Sequence, residues 1–506
     1  MSFRAKRVNL ISMNMKYIKI NPADNVAVAL EDLSAGEVVE GVMLSVDIPR
    51  GHKIVLQDLK AGDNVIKYGF PIGHVTQDAP AGTMVDHTCI KTNLEGLLEY
   101  KYEPVSYCHS ERSEESRTFK GYRRADGQVG IRNQIWVIPT VGCVNGICQE
   151  IVDRFKEENP NHPGVDAVVC FPHNYGCSQL GGDHENTRTV LADMVHHPNA
   201  GGVLVVSLGC ENNQLDAFRE LVGPVDEKRV RMFVTQKVKD EVEYGLQQLR
   251  EIYETASKDV REEVPVSELR VGLKCGGSDG LSGITANPLL GVLSDWIVDQ
   301  GGTTVLTEVP EMFGAETILM NRCQDKATFD KTVCLINDFK EYFMKQGMPV
   351  YENPSPGNKA GGISTLEEKS LGCTQKCGGS LVRGVLKYGE RLQVKGLNLL
   401  SAPGNDLVAS TALAASGCQI VLFTTGRGTP FGSFVPTMKI STNTPLFENK
   451  PRWIDFNAGV LAQDEQMGSV AARFIDYVLA VASGEPVNNE KHNYREIAIF
   501  KQGVTL

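Results

Sequence analysis

The chain has 506 residues, of which 42% are hydrophobic and 22% charged, and its formal net charge is -11. This length predicts two to four domains, and the acidic balance argues against a nucleic-acid partner, because phosphate backbones are bound by clustered Lys and Arg. No apolar run approaches the roughly 18 residues of a membrane span, and residues 1–16 lack the long apolar stretch of a signal peptide. We therefore interpret residues 1–16 as a tail and predict a cytoplasmic protein that binds neither membranes nor nucleic acids.

The thirteen cysteines are many for a cytosolic protein, and their number is odd. Their spacing does not suggest a disulfide framework, and the absence of a Cys-x-x-Cys pair argues against a zinc ribbon. In a reducing compartment, such cysteines are buried, reactive or bound to a metal.

Residues 17–102 predict a small all-β domain. Short runs rich in Val and Ile alternate with turn signals such as Asn21-Pro22 and Ala61-Gly62-Asp63. A compact barrel or clip is the expected arrangement of such short strands. The next segment, residues 103–120, has few apolar residues to bury and is typical of a solvated linker.

After this linker the pattern becomes that of a layered α/β architecture. Continuous apolar runs such as Ile135–Ile138 and Val203–Val206 are typical of buried parallel strands, and helical stretches lie between them. A boundary near residues 262–268 divides the region. We therefore predict a first α/β lobe at residues 121–264 and a second at residues 265–506.

Cysteines follow four of the predicted strands. Ligands of α/β proteins bind beyond the carboxyl ends of the strands, so side chains placed there are candidates for a site. Thiolates and imidazoles select soft or borderline metals and carboxylates add hard character, so the pattern favours iron(II). The alternative is that each cysteine is a small buried hydrophobic residue. The predicted metal ligands are Cys143, His173, Cys177, Cys210 and Cys275.

Glycine-rich loops supply the candidates for binding an anion. The loop Cys275–Gly283 can present backbone N–H groups to an anion at a helix start. The loop Thr424–Gly428 adds Arg427, whose planar guanidinium can bind a carboxylate through two hydrogen bonds, although an ordinary surface turn is the alternative. The predicted ligand-binding residues are Arg427, Ser278, Asp279, Asn287, Asn145 and Thr425.

Carboxylates and lysines near strand ends are candidates for proton transfer. Glu308 belongs to a group of acids beside a strand end, and Lys369 and Lys376 lie in a loop rich in Gly and Cys. Removing a proton next to a carboxylate requires a base, a group that stabilises the enolate, and an acid for the leaving hydroxide. A lysine base with a metal at the enolate is one solution to this problem, whereas solvated surface lysines are the alternative.

At these motifs the sequence resembles the altronate and galactarate dehydratase family over nearly the whole chain. The N-terminal unit is similar to the family's SAF-type β-clip domain through Ile66–Gly73. Other motifs that carry the resemblance are Gly121–Gly127, Gly130–Asn133, Gly176–Gln179, Leu208–Glu211, Cys275–Asp279, Asn353–Asn358, Phe423–Gly428 and Lys439–Asn443. Details closer to the altronate branch are Gly142–Asn145, Glu308–Gly314 and Trp453–Asn457.

The resemblance implies a hydro-lyase that dehydrates a small sugar acid, D-altronate, to 2-keto-3-deoxy-D-gluconate and water. It also implies iron (Fe²⁺) as cofactor, with manganese sometimes effective, and a clip domain that closes over the active site. The family often has a His-x-His-Asn pattern after the glycine turn of the clip. Here Val85–Cys89 contains one histidine in a shifted position, His87, which is the corresponding catalytic candidate.

Three other functions fit the same residues. Galactarate dehydratase performs the same chemistry on a diacid, and a sulfolactate-type lyase performs a related elimination. The third alternative is a carbohydrate-binding module on an inactive body, against which the cysteines and carboxylates at the strand ends argue. The sequence leaves the oligomeric state open, with a homo-oligomer as one option.

Overall fold

The structure, a computed structural model, describes residues 16–105, 116–463 and 465–503. It contains an all-β region followed by α/β layers around two parallel sheets, which confirms the predicted fold class. The predicted tail lies outside the described residues except for Lys16, as does the central part of the predicted linker, residues 106–115.

The described part of the N-terminal region forms short antiparallel strands, which we call the clip. The clip strands are β1 (Tyr17–Ile18), β2 (Val26–Ala29), β3 (Val38–Val39), β4 (Val42–Met43), β5 (Lys53–Val55), β6 (Asn64–Lys67), β7 (Phe70–Val75), β8 (Met84–Val85) and β9 (Ile90–Lys91). They pair in the orders β1-β2-β5-β8, β6-β7-β9 and β3-β4. Tight turns separate them: at Gly82, with φ of 81°, a Cβ would lie 2.1 Å from the Met43 carbonyl oxygen, so only glycine fits.

The segment after the clip runs along the second lobe. The Tyr100 hydroxyl donates to Glu316 at 2.6 Å, and the Tyr102 hydroxyl donates to the Cys323 carbonyl at 2.9 Å. Two strands follow, β10 (Thr118–Arg123) and β11 (Val129–Gly130), which pair with each other. Strand β10 begins inside the predicted linker, because Phe119 provides an apolar side chain that is buried in the core.

The first lobe is built on a four-stranded parallel sheet of order β13-β12-β14-β15. Its strands are β12 (Gln134–Pro139), β13 (Ala167–Cys170), β14 (Ala200–Ser207) and β15 (Val230–Val234). Its helices are α1 (Asn145–Glu158), α2 (Gly181–Val195), α3 (Leu215–Val222) and α4 (Glu241–Ala256). The apolar runs in these strands are buried because helices cover the sheet, as parallel sheets require.

Strand β16 (Glu262–Pro265) pairs with β10 and leads into the second lobe, a seven-stranded parallel sheet. Its strands are β17 (Arg270–Cys275), β18 (Thr303–Leu306), β19 (Val382–Leu386), β20 (Gly396–Leu400), β21 (Ile420–Thr425), β22 (Thr437–Ser441) and β23 (Phe456–Asn457). Its helices are α5 (Ala286–Asp299), α6 (Glu316–Met320), α7 (Lys326–Lys345), α8 (Pro356–Ala360), α9 (Leu366–Cys373), α10 (Asp406–Ala415), α11 (Thr444–Asn449), α12 (Met467–Ala482) and α13 (Asn488–Lys491). The strand order β19-β20-β18-β17-β21-β22-β23 places β17 at the centre.

A shared hydrophobic core joins the two lobes. One cluster of buried side chains contains residues of both sheets, and the rings of Trp136 and Phe434 meet edge to face at 5.4 Å. In residues 16–105, 116–463 and 465–503, the helices lack the combination of length and apolar character that crossing a bilayer requires.

Candidate functional site

The carboxyl ends of β17 and β18, in the middle of the seven-stranded sheet, carry a group of buried polar side chains. Lys274 and Cys275 end β17, and Glu308 and Glu311 follow β18. Because neighbouring parallel strands end at the same edge of a sheet, these side chains meet there.

A network of ion pairs holds this edge together. The Lys274 ammonium donates to Glu308 and, at 2.9 Å, to Asp406. The Lys376 ammonium donates to the other oxygen of Glu308 at 2.9 Å. Glu308 has φ of 67°, a left-handed conformation that is uncommon for a residue with a side chain, and it also accepts the Cys275 N–H at 3.0 Å. The network thereby fixes the position of Cys275.

Two thiols and one carboxylate converge in front of this network. The Sγ atoms of Cys275 and Cys373 are 3.3 Å apart, and Oε2 of Glu311 lies 3.2 Å from the first and 3.0 Å from the second. The Lys376 ammonium lies 2.9 Å from the Cys275 sulfur, and the Lys369 ammonium lies 2.8 Å from Glu311. We call Cys275, Glu311 and Cys373 the donor triad.

The surrounding charges control ionisation in the triad. Burial would raise the pKa of the Glu311 carboxyl, but Lys369 and the other nearby ammonium groups lower this pKa to about 2. The hydrogen bond with Cys275, together with burial, raises the pKa of the Cys373 thiol well above its usual value. Burial disfavours the Lys376 ammonium, but the charges of Cys275 and Glu308 hold the pKa of Lys376 well above the ordinary value.

The donor triad fits a divalent metal ion. In the described part of the chain, it is the set of three His, Cys, Asp or Glu side chains whose ligand atoms all lie within 4.8 Å of one another. The carboxylates and ammonium groups of the network balance in formal charge: Glu308, Glu311 and Asp406 against Lys274, Lys369 and Lys376. Ionising both thiols would therefore leave two negative charges, which a divalent cation offsets. Thiolate and carboxylate ligands together suit a borderline ion such as iron(II).

A cavity of about 240 Å³, part of it open to solvent, adjoins the triad at Cys373. The clip contributes Lys67 and Tyr68 to its lining, and the second lobe contributes Ser278 and Lys369. Among the residues that the structure describes, the Ser278 hydroxyl is buried without a hydrogen-bond partner. Because buried hydroxyls are almost always hydrogen-bonded, this group is suited to bind an oxygen of a ligand.

The clip is held against the second lobe by a buried carboxylate. Glu368 accepts from the ammonium groups of Lys53 at 3.0 Å and Lys67 at 2.7 Å, and from the Ser364 hydroxyl at 2.6 Å. All three charged side chains are at most 2% exposed. These contacts fix Lys67, and with it Tyr68, at the wall of the cavity.

A second, more open cleft of about 480 Å³ shares Asp279 with this cavity. Arg50 of the clip and Arg427 of the second lobe line it, together with Asn443. Two guanidinium groups beside a cleft are suited to bind an anionic ligand.

Nine of the residues predicted from the sequence lie at this edge of the second lobe: Cys275, Ser278, Asp279, Asn287, Glu308, Lys369, Lys376, Thr425 and Arg427. Several of them support loops. Asn287 accepts from Thr424 at 2.6 Å and donates to the Gly372 carbonyl at 3.0 Å, and Thr425 accepts the Gly428 N–H at 2.8 Å. Lys376 lies behind Cys275, whereas Lys369 lines the cavity.

The predicted set of five metal ligands does not form one site. Cys143, His173, Cys177 and Cys210 belong to the first lobe, whereas Cys275 belongs to the second. Asn145, predicted to bind the ligand, is likewise a first-lobe residue and hydrogen-bonds the His173 backbone at 2.8 Å. The prediction treated four strand ends as neighbours, but they are divided between two sheets.

His87 is also separate from the donor triad and from the network of ion pairs. It is exposed in the turn after β8, and in the described residues it forms no hydrogen bond or ion pair with the triad or the network.

His173 is engaged by the protein at both ring nitrogens. Nε2 lies 2.7 Å from the Pro139 carbonyl oxygen, and Nδ1 accepts the Tyr175 N–H at 3.1 Å. Because neither nitrogen is free for a metal, its assignment as a ligand is wrong for this conformation. Burial lowers the pKa of the imidazole to about 4, so the ring is neutral at pH 7.

We expect His173 to make the stability of the protein sensitive to acid. The pKa of His173 rises from about 4 to about 6.5 on unfolding. Its contribution to the stability of the fold is therefore complete above pH 6.5 and is lost as the pH falls towards 4. The shift corresponds to roughly 3 kcal/mol. Denaturant unfolding at several pH values should show a shallower pH dependence for His173→Gln than for the parent chain. His87→Gln, which changes an exposed ring, should retain the parent slope, and equal slopes in all three proteins would contradict the assignment.

Several residues of the site were absent from the predicted set: Cys373, Glu311, Lys67, Tyr68 and Glu368. Weak signals existed for some of them. Cys373 lies in the same Gly- and Cys-rich segment as Lys376, and Glu311 follows Glu308 in the same acidic group. Lys67 and Tyr68 precede Gly69 in the clip motif Ile66–Gly73, which carries part of the family resemblance.

Comparison with known families covers all three regions. The Altronate/galactarate dehydratase SAF domain matches residues 15–93. The D-galactarate dehydratase/Altronate hydrolase second domain matches residues 121–257, and the D-galactarate/Altronate dehydratase C-terminal family matches residues 266–505.

Similar proteins extend over nearly the whole chain. The altronate dehydratase of Bacillus subtilis (strain 168) is 59% identical over 97% of this chain and 99% of its own length. That of Escherichia coli (strain K12) is 56% identical over 97% of this chain and 100% of its own. The galactarate dehydratase (L-threo-forming) of Escherichia coli (strain K12) is 34% identical over 96% of each chain. The chain therefore belongs to the altronate/galactarate dehydratase family, as its sequence motifs predicted, and is a hydro-lyase.

Proposed function

We propose that this protein dehydrates D-altronate to 2-keto-3-deoxy-D-gluconate. The observation that carries the proposal is the identity of 59% and 56% to two altronate dehydratases, compared with 34% to a galactarate dehydratase. Galactarate is therefore the second candidate substrate, and a sulfolactate-type elimination is a more distant one. A buried set of thiols, carboxylates and lysines beside a cavity is costly to maintain, which argues against an inactive binding module.

We propose that Cys275, Glu311 and Cys373 hold the metal, and that it is iron(II), with manganese(II) able to substitute. When bound, such an ion supplies Lewis-acid stabilisation of the negative charge on the α-hydroxycarboxylate of the substrate. Lys376 and Glu308 then act as positioning residues, because they contact the Cys275 sulfur and backbone rather than the cavity.

Two groups that line the cavity are suited to handle charge and protons. Glu311 holds the pKa of Lys369 above its ordinary value against the effect of burial, so its ammonium can stabilise negative charge developing on the substrate. Burial raises the pKa of the Tyr68 hydroxyl, so it retains its proton and can donate it to the departing C3 hydroxyl. The unpartnered Ser278 hydroxyl is suited to orient a sugar oxygen. The clip excludes water from this space during elimination.

The function is tested by assaying a panel of substrates with the full chain purified anaerobically. Iron-loaded protein should form keto acid from altronate with a higher kcat/KM than from galactarate, and it should release no sulfite from sulfolactate. Chelation should abolish turnover, and added Fe²⁺ should restore it. A preference for galactarate or sulfolactate would replace the substrate assignment. Full activity in metal-free protein would contradict the metal assignment, and binding without turnover would favour the inactive body.

Arg427 provides a more local test. It is exposed beside the open cleft that Arg50 also lines, where it can bind the carboxylate of the substrate. Arg427→Lys keeps the charge but loses the planar fork, so kcat/KM for altronate should fall roughly ten- to a hundredfold. The melting temperature should not change. Arg473→Lys, an exposed arginine of α12, is the control, and equal kcat/KM in the two variants would remove Arg427 from the site.

We also propose a cytoplasmic location. The support for it is that all twelve cysteines in the described part of the chain are free thiols, which is typical of a reducing compartment. A homo-oligomer stays a prediction, which light scattering of the purified protein would test.

A further inference from the structure

Three exposed cysteines lie together at the carboxyl edge of the first-lobe sheet. Cys143 follows β12, Cys177 follows β13 and Cys210 follows β14. These strands are neighbours, in the order β13-β12-β14. The described residues include four exposed cysteines: these three and Cys334 on α7. Free cysteines are among the most buried residue types, so three exposed ones at a single edge require an explanation.

The register of the sheet places two of them side by side. Pro139 of β12 pairs with Val206 of β14. Cys143 comes four residues after Pro139, and Cys210 comes four residues after Val206. Neighbouring strands lie roughly 4.8 Å apart, so the two loops leave the sheet next to each other.

Hydrogen bonds bring the loop of Cys177 to the other two. The residue before Cys177 accepts the Asn213 N–H at 3.1 Å, and the residue after it donates its N–H to the Asn212 side chain at 2.7 Å. Tyr175 accepts the Gly142 N–H at 3.0 Å, directly before Cys143. The backbone is specially shaped here, because Ser178 adopts a left-handed φ of 55°. All three cysteine loops are therefore fixed against one another.

The three cysteines occupy equivalent places in the chain. Each cysteine precedes the N-terminus of a helix: Cys143 that of α1, Cys177 that of α2 and Cys210 that of α3. The side-chain amide of Gln236 also donates to the Cys210 sulfur at 3.6 Å.

The spacing favours a cluster over a single ion. A mononuclear site requires ligand atoms that lie close to one another. Among the described residues, the three sulfurs do not form a set whose members all lie within 4.8 Å of one another. In an iron–sulfur cluster each thiolate binds a different iron, so the sulfurs stand farther apart. We propose that Cys143, Cys177 and Cys210 bind three of the four irons of a [4Fe–4S] cluster in the first lobe, separate from the donor triad of the second lobe, and leave the fourth iron to a ligand from outside the chain.

The proposal is tested on the full chain by anaerobic reconstitution with Fe²⁺ and sulfide. The parent protein should gain about four iron and about four acid-labile sulfide ions per chain in addition to the iron of the triad, with the visible absorbance of such clusters. The triple variant Cys143→Ser, Cys177→Ser, Cys210→Ser should lose this sulfide and absorbance. Cys334→Ser should keep both, and so should Cys373→Ala, in which only the triad is altered.

Three outcomes would overturn the proposal: no labile sulfide in the reconstituted parent protein, unchanged sulfide in the triple variant, or one zinc ion bound by the three cysteines in place of a cluster. Folding of the variants is checked by thermal melting, where each exposed Cys→Ser change should leave the melting temperature close to that of the parent protein. Sulfide content does not depend on the substrate assignment, so the result stands apart from the proposed function.

Discussion

Cys373→Ala should remove the second-lobe metal and lower kcat/KM for altronate by roughly a thousandfold or more. The Cys373 sulfur lies 3.3 Å from that of Cys275 and 3.0 Å from the Glu311 carboxylate, so the substitution removes one of three converging donors. A metal ion that stabilises charge in the transition state contributes several kcal/mol, and each 1.4 kcal/mol is about tenfold in rate.

Metal analysis separates this effect from unfolding. The quantity to measure is the iron that is not accompanied by acid-labile sulfide, because this iron reports on the triad alone. Cys418→Ala is the matched control, since Cys418 is also fully buried but packs in the core shared by the two lobes. The control should lose some stability and keep its metal and kcat/KM. A folded Cys373→Ala protein with stoichiometric iron and near-parental kcat/KM would contradict the role of the triad.

Glu368→Gln should destabilise the protein by about 3–5 kcal/mol, the usual cost of breaking a buried ion pair from one side. The substitution leaves the ammonium groups of Lys53 and Lys67 buried without a counter-charge, since both bind this carboxylate. The clip should consequently separate from the second lobe more readily. Denaturant unfolding measures the loss of stability, and hydrogen exchange of the clip strands locates it.

The neighbouring residue supplies the control. Glu367 is also buried at the clip, but it accepts from Thr92 at 2.9 Å and from the Asn93 N–H at 2.6 Å, without a lysine. Glu367→Gln leaves no buried ammonium group without a counter-charge. It should lower the free energy of unfolding by about 1 kcal/mol, the contribution of a typical hydrogen bond. Equal losses in the two variants would show that the ion pairs do not hold the clip.

The pH dependence provides a second readout. Burial would raise the pKa of Glu368, but Lys53 and Lys67 hold it far below its ordinary value. The carboxyl of Glu368 has a pKa of about 4.3 in the unfolded chain. Its contribution to stability is therefore complete above pH 4.3 and is lost as the pH falls below that value. Loss of stability between pH 7 and a pH near 3 should therefore be smaller in Glu368→Gln than in the parent chain.

The sequence by itself determined the family, the fold class and part of the site. Apolar runs such as Val203–Val206 predict buried strands because they depend only on local composition. Position after a strand identified Cys275 and Glu308, because ligand sites of α/β sheets lie at the carboxyl ends of strands. Glycine-rich loops after strands added Ser278, which lines the cavity, and Arg427, which lines the neighbouring cleft.

Only the tertiary structure decided which of these residues meet. Strand pairing is non-local, so the sequence did not reveal that the strands before Cys143, Cys177 and Cys210 form one sheet and the strand before Cys275 another. The partner of Cys275 is Cys373, 98 residues away on a helix, and the lysines that bind Glu368 are 301 and 315 residues away in the clip. Contacts at such separations depend on how whole domains pack, because no local periodicity or spacing encodes them.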